Sequence, residues 1–411
     1  MTGLLRRTSL LCLALLVGGA TAHAGGACAC PFCNGQGETL VTEAAQADMI
    51  IFAYVEKATP AQGREDFEGT TQLRIDAVVK DHTFLAGKKN LTLPRFIPKN
   101  DEYKFLIFCT IFKGKLDPYK GLAVKANSDI AKSLKGALEL EKAPVEKRLR
   151  FAFDYLDSAD TEVSTDAYKE FSNADYKDYA GIAKDLPADK IAKWLEDKDG
   201  NTPSFRFGLY GSMLGHCGTA KHADLLRDMV TNPEKRAGSG VDGLLAGYIM
   251  LKPKEGWEYT HAVLADQKND FMFRYAALRA ARFFHDTRTD VVKANDIVGG
   301  VAQMITQKDI ADLGIEDLRK WKRFELTDRV LALTHRRVFG LFPQPPFEVP
   351  IVRRAVLRFA ISAGMNGNEA SAAYVAEQRK VNPAAVKDAE ELLRLEESPA
   401  PPPLKKEGPA K

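Results

Sequence analysis

Apolar and polar residues alternate along five short segments in the first third of the chain. The clearest case is 72–79, where every second residue is apolar, as on a half-buried β-strand. The other predicted strands are 50–55, 90–93, 103–112 and 122–125. Because Gly-, Pro- and Asp-containing loops join these segments, we predict a small closed or nearly closed β-barrel.

The pattern changes to a helical period after residue 144. Val145, Leu149 and Phe153 follow one another at four-residue intervals, as on the buried face of an amphipathic helix. Similar patterns continue to residue 397 and are interrupted by Pro, Gly, Asn or Asp, which is typical of helices joined by turns. We therefore predict an all-α region over 144–397, preceded by a helical connector at 127–143.

A charged residue recurs at the opening of apolar segments in the helical region. The six positions are Asp166, Arg206, Asp242, Arg274, Asp312 and Arg353, at intervals of 40, 36, 32, 38 and 41 residues. This spacing resembles HEAT repeats, whose helix pairs recur about every 40 residues. The resemblance covers 144–397 and implies an α-solenoid, in which stacked pairs bury a core that one pair cannot bury alone.

Composition favours a folded chain with two modules. The chain has 411 residues, and 45% of them are hydrophobic, which is enough to bury a sizeable core. Its 58 Lys and Arg against 55 Asp and Glu give a net charge of +3, and no dense basic block stands in the sequence to neutralise a phosphate backbone. We therefore expect no nucleic-acid partner.

The first 24 residues have the features of a secretory signal peptide. Arginines at 6 and 7 precede an apolar run over 10–17, and Ala22-His23-Ala24 provides a small-residue cleavage pattern. The run is far shorter than the roughly 20 apolar residues that span a bilayer. We therefore expect a secreted or periplasmic protein without a transmembrane segment.

Two further features concern the ends of the mature chain. Cys28 follows three small residues and is a candidate for a bacterial lipid anchor, although Gly25 stands where lipoprotein signals usually carry an aliphatic residue. We regard the anchor as the minority alternative. At the other end, 398–411 is rich in Pro and Lys, and we expect a disordered tail because this composition cannot form a packed core.

Four of the five cysteines outside the signal peptide lie in the strand region, at Cys28, Cys30, Cys33 and Cys109. In an exported protein this arrangement predicts one or two disulfides that join the N-terminal segment to a strand. Cys109 lies on the more regularly apolar side of its predicted strand, so we expect it to face inward or toward the N-terminal segment. Among the three N-terminal cysteines, Cys30 is the favoured partner of Cys109, because it lies between Cys28 and Cys33.

Two other interpretations of the N-terminal cysteines stay open. Cys30-Pro31-Phe32-Cys33 has the Cys-x-x-Cys spacing of thiol oxidoreductases, although no strand precedes it. Cys28, Cys30 and Cys33 are also weak candidates for binding zinc or copper through thiolates, because no His lies near in sequence to complete the site. We expect no cofactor.

The strand region also resembles a known family. The residues that carry the resemblance are Cys28-Ala29-Cys30, Ala47-Asp48-Met49-Ile50-Ile51, Val79-Lys80, Leu85-Ala86-Gly87 and Cys109. Over 28–126 the chain is similar to the netrin-like, OB-fold domains of tissue inhibitors of metalloproteinases. The resemblance implies that Cys28 and Cys30 staple the N-terminal segment across the barrel. It also implies protease inhibition, in which the α-amine and carbonyl of the first Cys chelate the catalytic zinc of the protease. Cleavage after Ala24 would leave residues 25–27 in front of Cys28 and block this chelation.

The helical region offers few candidates for chemistry. His216-Cys217 and His222 form one cluster, which we interpret as a turn with a buried Cys and two solvated His. The recurrent arginines are Arg206, Arg274 and Arg353. We expect them to pack and to pair with acids, and an anion-binding ladder is the alternative hypothesis. No Gly-rich phosphate loop, nucleophile elbow or His-Glu-x-x-His motif stands in the sequence, and we predict no catalytic residue.

These observations predict a multi-domain β + α chain, with a small OB-like β-barrel followed by an all-α HEAT-like solenoid. The predicted segments are a signal peptide at 1–24, the barrel at 25–126, the connector at 127–143, the solenoid at 144–397 and the tail at 398–411. The favoured function is that of an exported, non-enzymatic binding or scaffold protein. It would hold a protein or glycan of the cell envelope on the concave face of the solenoid. Metalloprotease inhibition and thiol redox chemistry at Cys30 and Cys33 are the alternatives.

Overall fold

The computed structural model describes residues 30–33, 37–61, 69–197, 200–236, 239–334 and 346–397. The predicted signal peptide (1–24), Cys28 and the predicted tail (398–411) lie outside the described residues. Within them, a five-stranded antiparallel sheet is followed by a long series of helices. The mixed β + α class is therefore confirmed.

Each predicted strand is present in the sheet. The strands are β1 (Met49–Thr59), β2 (Thr70–Lys80), β3 (Asn90–Leu93), β4 (Tyr103–Phe112) and β5 (Lys115–Lys125), in the spatial order β3-β2-β1-β4-β5. The fifth strand begins well before the predicted residue 122 and includes Pro118, which lies opposite Cys109 at a shift in register. A proline is tolerated there because β5 is an edge strand.

The sheet is not a closed barrel, and this part of the prediction is corrected. The edge strands β3 and β5 approach each other, but no hydrogen-bonded pairing joins them among the described residues. The inner side of the curled sheet buries Met49, Ile51, Ile107 and Cys109. The other side of β1 and β4 packs against helices, so both faces of the central strands are buried.

Seventeen α-helices occur in the described part of the chain. They are α1 (Leu40–Gln46), α2 (Ile130–Glu139), α3 (Val145–Phe153), α4 (Thr161–Asn173), α5 (Tyr176–Ala183), α6 (Ala188–Leu195), α7 (Phe207–Cys217), α8 (Ala220–Thr231), α9 (Val241–Leu251), α10 (Pro253–Ala265), α11 (Phe271–Thr287), α12 (Ala294–Met304), α13 (Ala311–Lys320), α14 (Thr327–Leu331), α15 (Pro350–Met365), α16 (Glu369–Val381) and α17 (Pro383–Glu397). None of these helices has the length and apolar character needed to cross a membrane.

A single apolar core extends from α3 to α15, and α1, α2 and α4 cover the outer face of the sheet. Most of the charged anchor positions lie at the starts of helices, as in Asp242 of α9 and Asp312 of α13. Asp166 instead lies in the interior of α4, so the expectation that it opens a helix is wrong.

Two helices in the middle of the core touch through their backbones. A Cβ atom built on Gly243 of α9 would lie 2.0 Å from the carbonyl oxygen of Gly208 in α7. One turn further along, a Cβ on Gly247 would lie 2.1 Å from the carbonyl oxygen of Gly211. Because side chains at these positions would separate the helices, glycine fixes how closely α7 and α9 approach.

Candidate functional site

The Cys30-Pro31-Phe32-Cys33 segment, called the disulfide loop below, is closed by a bond between its two cysteines. Their Cα atoms are 5.4 Å apart, and the Cys33 amide donates to the Cys30 carbonyl oxygen at 3.2 Å. Cys30 and Phe32 are 5% and 1% exposed, whereas Cys33 is half-buried. The loop therefore turns its phenyl ring inward and leaves Cys33 closer to the surface than Cys30.

The disulfide loop packs on the helices and not on the sheet. The Phe32 ring meets Phe283 of α11 edge to face, with 4.7 Å between ring centroids. Arg279, also on α11, donates from Nη2 to the Pro31 carbonyl oxygen at 2.9 Å. A Cβ built on Gly208, the second residue of α7, would lie 2.4 Å from the Phe32 carbonyl oxygen, so this position must be glycine for the loop to pack there.

A charged pair lies beside the loop. Arg279 Nε is 2.7 Å from Asp242 Oδ2, which is 7% exposed at the start of α9. Burial raises the pKa of Asp242, and the charge and hydrogen bonds of Arg279 limit that rise. Since Arg279 also bonds to the loop, one guanidinium connects α9, α11 and the N-terminal segment.

A polar network lies on the far side of Phe283. The Tyr176 ring meets Phe283 edge to face, and its hydroxyl is 3.0 Å from His216 Nε2. Arg288 donates to the same hydroxyl at 3.3 Å and forms a two-pronged ion pair with Asp290. Burial, reinforced by the Arg288 charge, lowers the pKa of His216 to about 4. At neutral pH the imidazole is therefore uncharged, and its Nε2 shares a hydrogen bond with the Tyr176 hydroxyl.

An open groove adjoins the disulfide loop between α9 and α11. It has a volume of about 360 Å³ and includes Asp242, Tyr275 and Arg279 in its lining. Met272 stands at the groove with 66% of its surface exposed. Arg236 places its guanidinium carbon 3.8 Å from the centroid of the Phe273 ring. The groove thus combines aromatic and apolar surface with fixed charges, which suits binding more than bond-making chemistry.

The predicted bond between Cys109 and the N-terminal cysteines is wrong. Cys109 is a free thiol, fully buried on the inner side of the sheet, whereas Cys30 packs among the helices and bonds to Cys33. Burial, with a contribution from the charge of Asp117, raises the pKa of Cys109 to about 12. The inward orientation expected from the strand pattern is observed, but the thiol faces apolar side chains there.

The disulfide between Cys30 and Cys33 removes two of the three candidate metal ligands. Cys30 and Cys33 carry no free thiolate while they are joined, and Cys28 lies outside the described residues. Nor does any cluster of three or more His, Cys, Asp or Glu elsewhere in the described ranges suit a metal ion. The staple that the inhibitor resemblance implied for Cys30 is likewise replaced by the short bond to Cys33.

The histidine cluster differs from the expected solvated turn. His216 and Cys217 end α7, and His222 is 4% exposed in the first turn of α8. The His222 ring caps α8 through Thr219 and places Nε2 3.0 Å from Asp189 Oδ1. These histidines therefore hold helix ends in place. Burial raises the pKa of Cys217 to about 11, so its thiol is a poor nucleophile at neutral pH.

Two of the three recurrent arginines are committed to internal contacts. Arg206 is 3% exposed and donates to the Leu156 carbonyl oxygen at 3.0 Å. Arg274 is also 3% exposed and binds Asp309 and Gln307. These two cannot present their charges to an external anion, so the ladder hypothesis is corrected. Arg353 is exposed in the first turn of α15.

Sequence reasoning missed the helical partners of the disulfide loop. Helix α11 buries Phe283 and Phe284 near its C-terminal end, whereas Met272 near its start is exposed. That Phe32 is one of its neighbours is not encoded in either local pattern. A bulky apolar residue enclosed between two cysteines was the one available signal.

Comparison of the chain with protein-family models, curated proteins and solved structures finds no significant match.

Proposed function

We propose that the protein is an exported, non-enzymatic binding or scaffold protein whose helices present binding surfaces. The observation that carries the proposal is the groove of about 360 Å³ beside the disulfide loop, with its exposed Met272 and its fixed arginines. In this proposal the helices stack as HEAT-like pairs and the curled sheet is OB-like. The near approach of β3 and β5 supports an OB-like sheet. The charged anchor positions at the starts of helices support HEAT-like pairs.

Export is supported by the leader-like first 24 residues and by the disulfide, which is typical of oxidising compartments. The full chain should be expressed in a bacterial host, fractionated, and weighed intact by mass spectrometry. We expect periplasmic or secreted protein that begins at Gly25 and contains one disulfide. A chain that begins with a free Cys28 amine would instead support protease inhibition, and a lipid on Cys28 would indicate a membrane anchor. A cytoplasmic protein that retains residues 1–24 would contradict export.

Binding is tested by cross-linking within the envelope. A photo-reactive amino acid placed at Met272 reports on the groove, and one placed at Phe112, which is 59% exposed on the sheet, is the matched control. We expect a discrete adduct at position 272 only, and we expect Tyr275→Ala in the groove to abolish it. Equal labelling at both positions, or labelling that ignores Tyr275→Ala, would count against a binding role for the groove.

Thiol redox chemistry is the second candidate, because Cys30 and Cys33 are already joined and Cys33 is half-buried. The reduction potential separates the two functions. Structural disulfides have potentials below about −300 mV, whereas oxidoreductases lie roughly between −270 and −120 mV. Equilibration with glutathione or dithiothreitol buffers, followed by alkylation and mass spectrometry, gives the value. We expect the structural range, since Cys30 is the more buried of the two cysteines and occupies the position that attacks in Cys-x-x-Cys enzymes.

A further inference from the structure

A larger cavity lies at the other end of the helical region, between α13, α15, α16 and α17. This C-terminal cavity has a volume of about 910 Å³, which is within the range of roughly 300–1,000 Å³ typical of ligand sites. Ile361, Val375 and Leu393 contribute apolar surface to it, and each is at most 7% exposed. Met365 stands at the cavity with 74% of its surface exposed. An apolar lining of this kind suits a ligand with apolar groups.

The charged side chains of the C-terminal cavity are mostly cations. The basic residues that line it are Arg319, Lys320, Lys322, Arg379 and Arg394, against two carboxylates, Glu390 and Glu396. Arg319 binds Glu396 at 2.7 Å, and Arg379 pairs with Glu390. Lys320 and Lys322 are both exposed, and no carboxylate in the described ranges lies within ion-pair distance of either. The cavity therefore has an excess of positive charge.

The backbone at Lys322 provides an independent observation. Lys322 has a φ of 56°, in the left-handed region that favours glycine. It ends α13 in a Schellman motif, with its amide bonded to the Arg319 carbonyl oxygen and the Arg323 amide bonded to that of Leu318. The neighbouring helix α15 ends in the same motif with Gly367, whose φ is 88°. The chain thus places a lysine at the cavity where the backbone alone would favour glycine.

We propose that the C-terminal cavity binds an acidic peptide segment that carries apolar side chains. Lys320 and Lys322 would meet its carboxylates, and the apolar lining around Ile361 and Leu393 would receive its apolar residues. The two carboxylates in the lining, Glu390 and Glu396, disfavour a uniformly charged polyanion. The inference rests on the proposed binding function and names a site and a partner class for it.

Fluorescence anisotropy tests the proposal with the mature full-length protein. The probe is a labelled eight-residue peptide that alternates Glu and Leu, and the reference peptide has Gln in place of Glu. We expect the Glu peptide to bind about tenfold more tightly at low salt, with the difference shrinking at high salt. Lys322→Gly should weaken binding about threefold while the thermal midpoint stays the same or rises, because glycine relieves the left-handed backbone.

Lys113→Gly is the matched control. Lys113 also has a left-handed φ, of 49°, but lies in the turn between β4 and β5. Its replacement should leave peptide affinity unchanged. Equal affinity for the Glu and Gln peptides, or unchanged affinity in Lys322→Gly, would overturn the proposal, as would tighter binding of an oligogalacturonate. In each case specific cross-linking at Met272 would still support the broader binding function. Failure of the peptide site can therefore be distinguished from failure of the proposed function.

Discussion

Asp166 shows how one carboxylate joins two of the helices that cover the sheet. Its Oδ1 accepts the Leu40 amide at 2.7 Å, so a side chain of α4 holds the first residue of α1. Burial raises the pKa of Asp166 to about 6, despite that hydrogen bond, and the charge of Glu170 adds to the rise. The folded protein therefore binds more protons than the unfolded chain between about pH 4 and 6, and this group lowers stability as pH rises through that range.

Asp166→Asn keeps an oxygen acceptor for Leu40 and removes the charge. We expect the variant to be more stable than the wild type by about 1–2 kcal/mol at pH 7, a value reduced for partial solvent screening. The difference should vanish near pH 4, where the wild-type carboxyl is protonated. Urea unfolding at the two pH values measures it. Asp185→Asn, at a surface pair with Arg150, is the control and should change stability by no more than about 0.5 kcal/mol. A larger gain in stability from Asp166→Asn at pH 4 than at pH 7 would contradict the raised pKa of Asp166.

Cys109 gives a second prediction at the scale of one residue. Its thiol is fully buried, and burial raises its pKa to about 12, so iodoacetamide should not label it in the native protein at pH 7. Cys109→Ser places a more polar hydroxyl among apolar side chains and should cost about 1–3 kcal/mol of unfolding free energy. Mass spectrometry of alkylated native and unfolded protein checks the first expectation, and urea unfolding checks the second. Rapid labelling of the native thiol would place Cys109 outside the core.

At the scale of elements, the disulfide loop behaves as an anchor for the N-terminal segment. Phe32→Ala removes the ring that meets Phe283 and should cost about 3–5 kcal/mol, as for other buried phenylalanines. Phe112→Ala is the matched control, because Phe112 is 59% exposed, and it should cost less than about 0.5 kcal/mol. Thermal or urea unfolding compares the two. Similar costs for both variants would mean that Phe32 does not occupy the helical core.

The elements also show what sequence could and could not predict. Strand β1 was predictable because it is apolar on both alternations, as a central strand with two buried faces must be. Helix α1 was missed because seven residues, 40–46, are too few to display a helical period clearly. The site of the disulfide loop depends on Arg279, which is 248 residues from Pro31, and local patterns do not encode such a pairing. The closed barrel was wrong because strand patterns alone do not specify whether edge strands pair.

At the scale of the whole molecule, α11 links distant segments of the chain through its arginines. Arg279 contacts the disulfide loop and α9. Arg282 binds Asp317 of α13 at 2.7 Å, and Arg274 binds Asp309, which precedes α13. Three arginines of α11 thus contact the N-terminal segment, α9, α13 and the turn before α13. The C-terminal helices differ, because a smaller cluster that includes Leu357, Val386 and Leu393 holds them together. The helices in the middle of the chain are therefore more heavily interconnected than the C-terminal helices.

This difference predicts uneven local stability, which hydrogen exchange with mass spectrometry can measure. Helix α9 buries nine consecutive residues, 241–249, whereas the buried residues of α16 are Ser371 and Val375. Opening α16 exposes less apolar surface, so its amides should exchange at least about tenfold faster than those of α9. The acidic peptide should slow exchange in α16 and α17 and leave α9 unchanged, because the C-terminal cavity lies between α16, α17 and their neighbours. Equal protection of α9 and α16 would contradict the uneven stability, and slowing confined to α9 would place the peptide elsewhere.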